Sequence, residues 1–115
     1  MTKAIRIHET GGPEVLRWED VEVGDPGDGE IRVRHTAIGL NYIDTYQRSG
    51  LYPLALPLTL GMEGAGVVEA TGANVSDLKQ GDRVAYASPP PGSYSEARII
   101  GADRVVKVPD GVDDN

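Results

Sequence analysis

The sequence predicts a mainly β domain built from short antiparallel strands. Fifteen glycines and eight prolines separate short apolar stretches of the 115-residue chain at fairly even spacing. This spacing is typical of strands joined by turns and not of a helical bundle. Within the stretches, apolar and polar residues alternate with a period of two. The hydrophobic fraction of 39% and the charged fraction of 25% are those of a globular chain, and the length suits one domain.

The alternation places the individual strands. In the first strand Ile5 and Ile7 are expected to share a face, and in the third strand Ile31, Val33 and His35 are expected to do so. Glycine- and proline-rich segments mark the turns between strands. The predicted strands cover residues 4–8, 16–18, 31–37, 66–70, 83–87, 94–100 and 105–108, and the turns include residues 11–13, 25–29 and 81–82.

One segment, residues 41–49, loses this alternation and predicts a short helix. It begins with Asn41, a residue type that caps helices, and it stops at Gly50. Tyr42 and Tyr46 are four residues apart and would lie along one side of this helix.

The last residues, 109–115, predict a turn followed by an acidic run of the kind that begins a helix. We therefore expect a domain boundary near the end of this chain.

Composition excludes several classes of function. The formal net charge is −7 and no basic face is apparent, so nucleic-acid binding is not expected. The chain has no cysteine, which excludes disulfides, a thiolate nucleophile and cysteine-ligated metal sites. The chain start lacks the apolar core of a secretory signal and no long apolar run follows, so we expect a cytoplasmic protein that does not bind membranes.

The glycine-rich segment 61–69 invites comparison with the dinucleotide-binding fingerprint, and it departs from that motif in two respects. Glu69 stands at the third glycine position. The segment also precedes a predicted strand, whereas the fingerprint follows a strand and opens a helix. We expect these glycines to permit close approach of backbones instead.

The two histidines do not predict a metal-binding pair. His8 lies at the end of a predicted strand, and His35 is in phase with the apolar residues of another strand. We interpret His8 as a surface residue and His35 as a partly buried packing residue.

Four segments together resemble the medium-chain dehydrogenase/reductase superfamily, and within it the zinc-free quinone oxidoreductase branch that includes zeta-crystallin. The resemblance extends over essentially all 115 residues. Residues 39–53 are the specific signal, whereas the Gly-Asp-Arg-Val turn is common to the superfamily. The four segments are residues 11–16, 39–53, 63–68 and 81–86.

This resemblance implies a two-domain enzyme in which a GroES-like, partly open β-barrel with one or two short helices lines the substrate cleft. Residues 1–115 would be that amino-terminal, substrate-side domain, and the Rossmann nucleotide-binding domain would lie outside this chain. The implied cofactor is NADPH or NADH, bound mainly by the other domain. We therefore expect the isolated chain to be inactive.

The resemblance also implies a reaction without zinc. In the zinc alcohol dehydrogenases that share this barrel, a cysteine and a histidine hold the catalytic metal. Asn41 and Met62 occupy those positions here, and Glu63 follows Met62. An amide and a thioether are poor substitutes for a thiolate and an imidazole as zinc ligands.

The implied site residues lie within the 39–53 segment. Asn41 and Tyr46 match family positions at the nicotinamide end of the cofactor, and Tyr52 matches a position at the acceptor cleft, so Asn41 and Tyr52 are the catalytic candidates. Asp44 is a further cofactor-binding candidate that could instead hydrogen-bond locally at the helix start. Periodicity by itself would have the tyrosines, Tyr42 included, simply cover the barrel.

Other functions stay open. An enone or enal reductase of the same superfamily would use the same cofactor and an oxygen-polarising donor. A stand-alone GroES-like binding or structural module is the alternative from a different class. For the full-length protein we expect a small-molecule partner, a quinone or enone, and a homodimer. In the isolated chain, the surface near Tyr46, Tyr52 and Met62 would form an exposed apolar patch.

Overall fold

Eight strands and one α-helix make up residues 2–113, the part of the chain that the structure, a computed structural model, describes. Two single turns of 3-10 helix lie at Pro13–Val15 and Ala102–Arg104. The strands are β1 (Thr2–Ile7), β2 (Arg17–Val21), β3 (Glu30–Gly39), β4 (Leu58–Thr59), β5 (Glu63–Thr71), β6 (Arg83–Ala87), β7 (Ala97–Gly101) and β8 (Val106–Lys107), and the helix α1 is Tyr42–Ser49.

The strands form two antiparallel sheets. The smaller sheet has the order β2-β1-β4, and the larger has the order β7-β3-β5-β6-β8. Residues 94–96, just before β7, join the two sheets. Ser95 bridges to Ala4, and the amide of Ile5 donates to the carbonyl of Tyr94. The result confirms the predicted mainly β, partly open barrel with one short α-helix.

Each sheet covers its own apolar core. The larger core comprises Ile31, Val33, Val68, Leu78, Val84, Tyr86 and Ile100, and the smaller comprises Ile7, Val15 and Leu60. Full burial of an aliphatic side chain contributes about 1.5–3 kcal/mol. Ile31 and Val33 are fully buried, as their phase in the sequence predicted, and β3 lies between β7 and β5 in the larger sheet.

The expected phase of β1 was wrong. Ala4 and Ile7 are the buried residues of this strand, and Ile5 is only half-buried. The neighbour on one edge of β1 changes from residues 94–96 to β4 along the strand, so the inward side does not follow a constant two-residue period. The same junction makes the predicted 94–100 strand begin later, as β7, because residues 94–96 hydrogen-bond to Lys3 and Ile5 of β1. The carbonyl of Glu96 still accepts a hydrogen bond from the His35 amide of β3.

Polar side chains beside the larger core form a hydrogen-bonded group that we name the inner network. The inner network comprises His35, Tyr86, Ser93 and Arg98. The hydroxyl of Tyr86 lies 2.7 Å from His35 Nε2, 2.7 Å from Ser93 Oγ and 3.3 Å from Nη1 of the buried Arg98. His35 Nδ1 lies 2.8 Å from the carbonyl oxygen of Ser95 and therefore carries the ring proton. Burial lowers the pKa of His35. This arrangement confirms that His35 is a partly buried packing residue.

The 61–69 glycines permit close contacts within the sheet, as predicted. A Cβ on Gly66 would lie 2.1 Å from the carbonyl oxygen of Arg34, and one on Gly64 would lie 2.9 Å from the His35 ring. The segment forms β5 and opens no helix. Glu69, at the position of the missing third glycine, pairs with Arg32 and Arg34 of the neighbouring strand.

Within residues 2–113, no helix has the length and apolar character needed to cross a membrane. The predicted turn before the acidic end is present at Asp110–Gly111, but the last two residues of that run, 114–115, lie outside the described residues.

Candidate active site

The helix α1 is held at both ends by local signals in the sequence. Asn41 is its N-cap, and a capping box pairs Asn41 with Asp44, whose Oδ2 accepts a hydrogen bond from the Asn41 amide at 3.1 Å. Gly50 ends the helix in the left-handed conformation, with φ of 89°. The helix predicted from residue 41 is therefore confirmed.

Asn41 is also tied to the larger sheet through its side chain. Its Nδ2 donates to Oε1 of Glu63 at 3.0 Å. Glu63 begins β5 and pairs with Gly39, the last residue of β3. A Cβ on Gly39 would lie 2.4 Å from the carboxyl carbon of Glu63, so the glycine leaves the room in which this carboxylate lies beside Asn41.

Asp44 takes the local role that the sequence had left open. Its side chain is 2% exposed, and Oδ2 accepts a second hydrogen bond, of 2.6 Å, from the hydroxyl of Tyr94. Burial and the neighbouring Asp44 carboxylate raise the pKa of Tyr94, so this phenol is a donor at neutral pH. Asp44 thus holds the main chain of Asn41 in place at the start of α1. Contact of Asp44 with a cofactor stays a prediction.

Tyr46 and Tyr52 form an exposed aromatic pair. Their ring centroids are 5.6 Å apart, the planes meet at 88°, and the amide of Tyr52 donates to the carbonyl of Tyr46 at 3.3 Å. The side chains are 39% and 53% exposed. Tyr42 is 83% exposed and has no ring partner among the described residues, so the structure separates it from the other two tyrosines.

The inner face of α1 contacts Met62. Gln47 is buried, and its Nε2 lies 4.0 Å from the Met62 sulfur. Exposed apolar side chains follow α1 along residues 51–56, and we name these side chains and the tyrosine pair the tyrosine patch. The tyrosine patch comprises Tyr46, Leu51, Tyr52, Leu54 and Leu56.

The charged residues near α1 do not assemble a metal-binding cluster. No group of three histidine, aspartate or glutamate side chains with ligand spacing occurs in residues 2–113. Arg48, in the last turn of α1, donates from Nε to the carbonyl of Gly11 at 3.2 Å. The absence of zinc from the reaction stays a prediction.

Sequence reasoning missed two residues that support the site. In the sequence, Glu63 is identified only as the residue that follows Met62, and Tyr94 is predicted to begin a strand. Their contacts with Asn41 and Asp44 span 22 and 50 residues along the chain. Only the strand pairing brings them together, so no local pattern in the sequence could have indicated these contacts.

Comparison with known proteins places these features in a family. The family described as the alcohol dehydrogenase GroES-like domain matches residues 27–110 of this chain. A quinone oxidoreductase of Pseudomonas aeruginosa is 54% identical over 98% of this chain and 35% of its own length. A 2-haloacrylate reductase of a Burkholderia species is 45% identical over 98% of this chain and 35% of its own length.

A solved structure shows the same fold. The chain is similar to Escherichia coli quinone oxidoreductase complexed with NADPH, with a TM-score of 0.94 and 46% identity over 98% of this chain and 35% of that one. The resemblance inferred from the sequence segments is thereby confirmed. The chain spans about a third of the length of these relatives, since each match covers 35% of the relative.

Proposed function

The chain belongs to the alcohol dehydrogenase GroES-like domain family, and we propose that it is the amino-terminal, substrate-side domain of an NADPH-dependent quinone oxidoreductase. The observation that carries this proposal is the exposed Tyr46–Tyr52 pair beside the N-cap of α1, Asn41, which is fixed from two sides. Two exposed phenol rings and an anchored amide suit flat, oxygen-bearing ligands such as nicotinamides and quinones.

The residues present fit the nucleotide. Asn41 and Tyr46 would hold its nicotinamide end, and Asp44 would act beneath them by fixing the helix cap. The bound nucleotide would supply a hydride to the acceptor. Tyr52, whose side chain is exposed, would orient a quinone and donate a hydrogen bond to the oxygen on which negative charge develops. Most of the nucleotide would contact another domain, so the isolated 115-residue chain is expected to be inactive.

Reduction of an activated carbon–carbon double bond is a second candidate, and one observation favours it. The 2-haloacrylate reductase is 45% identical to this chain. The same exposed phenol could polarise the carbonyl or carboxylate oxygen of such a substrate. A stand-alone binding or structural module was the third expectation, and no feature of the site favours it over an enzyme domain.

A direct assay separates these functions. The full-length protein is incubated with NADPH and either 1,4-benzoquinone or 2-chloroacrylate, and kcat/KM is obtained from the loss of nucleotide absorbance. We expect the quinone to be the better substrate. A higher kcat/KM for the haloacrylate would instead support the second candidate, and no oxidation of NADPH with either substrate would contradict both.

Further proposals concern the whole protein. We expect activity to survive exhaustive chelation, because Asn41 and Met62 are poor zinc ligands; loss of activity that zinc restores would contradict this. We also propose that NADH can replace NADPH, that the full-length protein is a homodimer and that it is cytoplasmic. Assays with each nucleotide test the first of these proposals, and gel filtration tests the second.

A further inference from the structure

We propose that Glu63 is a positioning residue that fixes the orientation of the Asn41 carboxamide, so that Asn41 offers an N–H donor to the ligand. This inference rests on the proposed function for the role of Asn41 at the nicotinamide or acceptor. The proposed function gives no role to Glu63, and it does not specify that Asn41 donates a hydrogen bond to the ligand instead of accepting one.

The sheet places the Glu63 carboxylate beside the Asn41 side chain. Glu63 pairs with Gly39 at the end of the β3–β5 ladder, two residues before Asn41 in the chain. The missing side chain at Gly39 leaves the space that the carboxylate occupies. Within residues 2–113, the Asn41 amide is the hydrogen-bond partner that the structure gives to this carboxylate.

The chemistry of the two groups determines which end of the amide faces Glu63. An ionised carboxylate only accepts hydrogen bonds, so the Asn41 nitrogen must face it. A rotated amide would place its oxygen against the carboxylate oxygen and lose the 3.0 Å contact. The capping box favours the same orientation, because it directs the Asn41 side-chain oxygen to the N–H group of Asp44.

One N–H bond of the Asn41 amide then remains for a ligand. Its oxygen serves the helix cap and one hydrogen serves Glu63. The second hydrogen has no partner in the described chain and is suited to an acceptor such as the carboxamide oxygen of a nicotinamide or the oxygen of a quinone. Without Glu63, the amide would lose the partner that holds its nitrogen in place.

The role differs from a structural one because Glu63 is exposed. Substitution of an exposed side chain away from the core changes the free energy of unfolding by less than about 0.5 kcal/mol. An effect of Glu63 on ligand binding without an effect on folding would therefore mark positioning. The Glu63→Gln substitution keeps the size of the side chain, but the new amide can present either an oxygen or an NH₂ group to Asn41.

The test uses the full-length protein and the variants Glu63→Gln, Asn41→Ala and the double variant, with Glu22→Gln as a matched control at an exposed glutamate in the loop after β2. NADPH binding is measured by fluorescence titration, and kcat and KM are measured with 1,4-benzoquinone. We expect Glu63→Gln and Asn41→Ala each to weaken NADPH binding about tenfold, as loss of one oriented hydrogen bond does. The double variant should bind no more weakly than Asn41→Ala.

A second readout needs no cofactor. The side-chain amide resonances of Asn41 in the ligand-free protein should shift in Glu63→Gln and stay unchanged in Glu22→Gln. Additive effects of the two single variants on NADPH binding, or unchanged Asn41 resonances in Glu63→Gln, would overturn the proposed positioning. Wild-type protein that binds no NADPH would instead overturn the proposed function and this inference with it, even where the amide resonances respond to Glu63.

Discussion

Tyrosines occupy two contrasting environments in this domain. The hydroxyl of Tyr86 is buried beside the larger core, where His35, Ser93 and Arg98 surround it. The hydroxyls of Tyr46 and Tyr52 on the tyrosine patch have no partner among the described residues. The same chemical group therefore stabilises the fold in one place and is left for a ligand in the other.

The difference follows from the cost of burying a polar group. Burial of a hydroxyl or guanidinium without hydrogen-bond partners costs several kcal/mol. The inner network is therefore stable only because its side chains hydrogen-bond to one another. Arg98 illustrates this, because it is buried, lies 5.1 Å over the Tyr86 ring and donates to the carbonyl of Pro90 at 3.0 Å. On the patch, water satisfies the phenols until a ligand displaces it.

The largest effect is expected for Tyr86→Phe. This substitution removes the oxygen that contacts Ser93, Arg98 and the partly buried His35, and each of these three partners loses one hydrogen bond. We expect a loss of about 3 kcal/mol in the free energy of unfolding, measured by equilibrium denaturation in urea. Tyr42→Phe is the matched control at an exposed tyrosine, and its effect should stay below about 0.5 kcal/mol. Equal effects of the two variants would erase the contrast between the environments.

A smaller effect is expected for Tyr94→Phe, which lies between the two regions. The hydroxyl of Tyr94 donates to the buried carboxylate of Asp44, which caps α1. Its removal should cost about 1–2 kcal/mol, because Asp44 keeps the Asn41 amide as a donor. Urea denaturation measures the loss, with Tyr46→Phe as the control that removes an exposed hydroxyl from α1. An unchanged free energy of unfolding in Tyr94→Phe would show that the cap does not depend on this support.

The pH dependence of the free energy of unfolding tests the inner network without a substitution at Tyr86. Burial lowers the pKa of His35 in the folded state below its ordinary value of 6.5, so the unfolded chain binds the proton more readily. The stability contributed by neutral His35 is therefore complete above about pH 6.5 and is lost as the pH falls from there through the lower folded-state pKa. Urea denaturation between pH 7.5 and about 5 should show this decrease, and His35→Gln should reduce it. A slope that is the same in both proteins would assign the decrease to other groups.

The sequence predicted those elements whose signals are contiguous. The helix α1 lies between its own cap, Asn41, and its own terminator, Gly50, and β6 begins and ends as expected from residues 83–87. The start of the 94–100 strand and the phase of β1 depend on which strand lies alongside, so a local pattern could not predict them.

The same limit applies to the site. Asn41, Asp44, Tyr46 and Tyr52 lie within one twelve-residue segment that the resemblance identified. The residues that hold this segment in place come from elsewhere in the chain. Glu63 reaches Asn41 through the β3–β5 register, which includes two irregularities, and Tyr94 reaches Asp44 through the junction between the sheets. Neither contact has a signature in either residue's own neighbourhood.

The smallest effect on stability is expected for the tyrosine patch, where the effect on binding should be clearest. Tyr46→Leu and Tyr52→Leu replace rings that are 39% and 53% exposed. Each variant should lower the free energy of unfolding by about 0.5–1.5 kcal/mol at most, the contribution of the edge-to-face contact between the two rings. In the full-length protein, Tyr46→Leu should weaken NADPH binding about fivefold or more, and Tyr52→Leu should raise KM for the quinone, since aromatic contact and the hydroxyl are both lost. Fluorescence titration and steady-state kinetics measure these changes, with Tyr42→Leu as the control. Destabilisation as large as that of Tyr86→Phe, with unchanged binding, would show that these exposed tyrosines also serve the fold and that exposure does not distinguish the two environments.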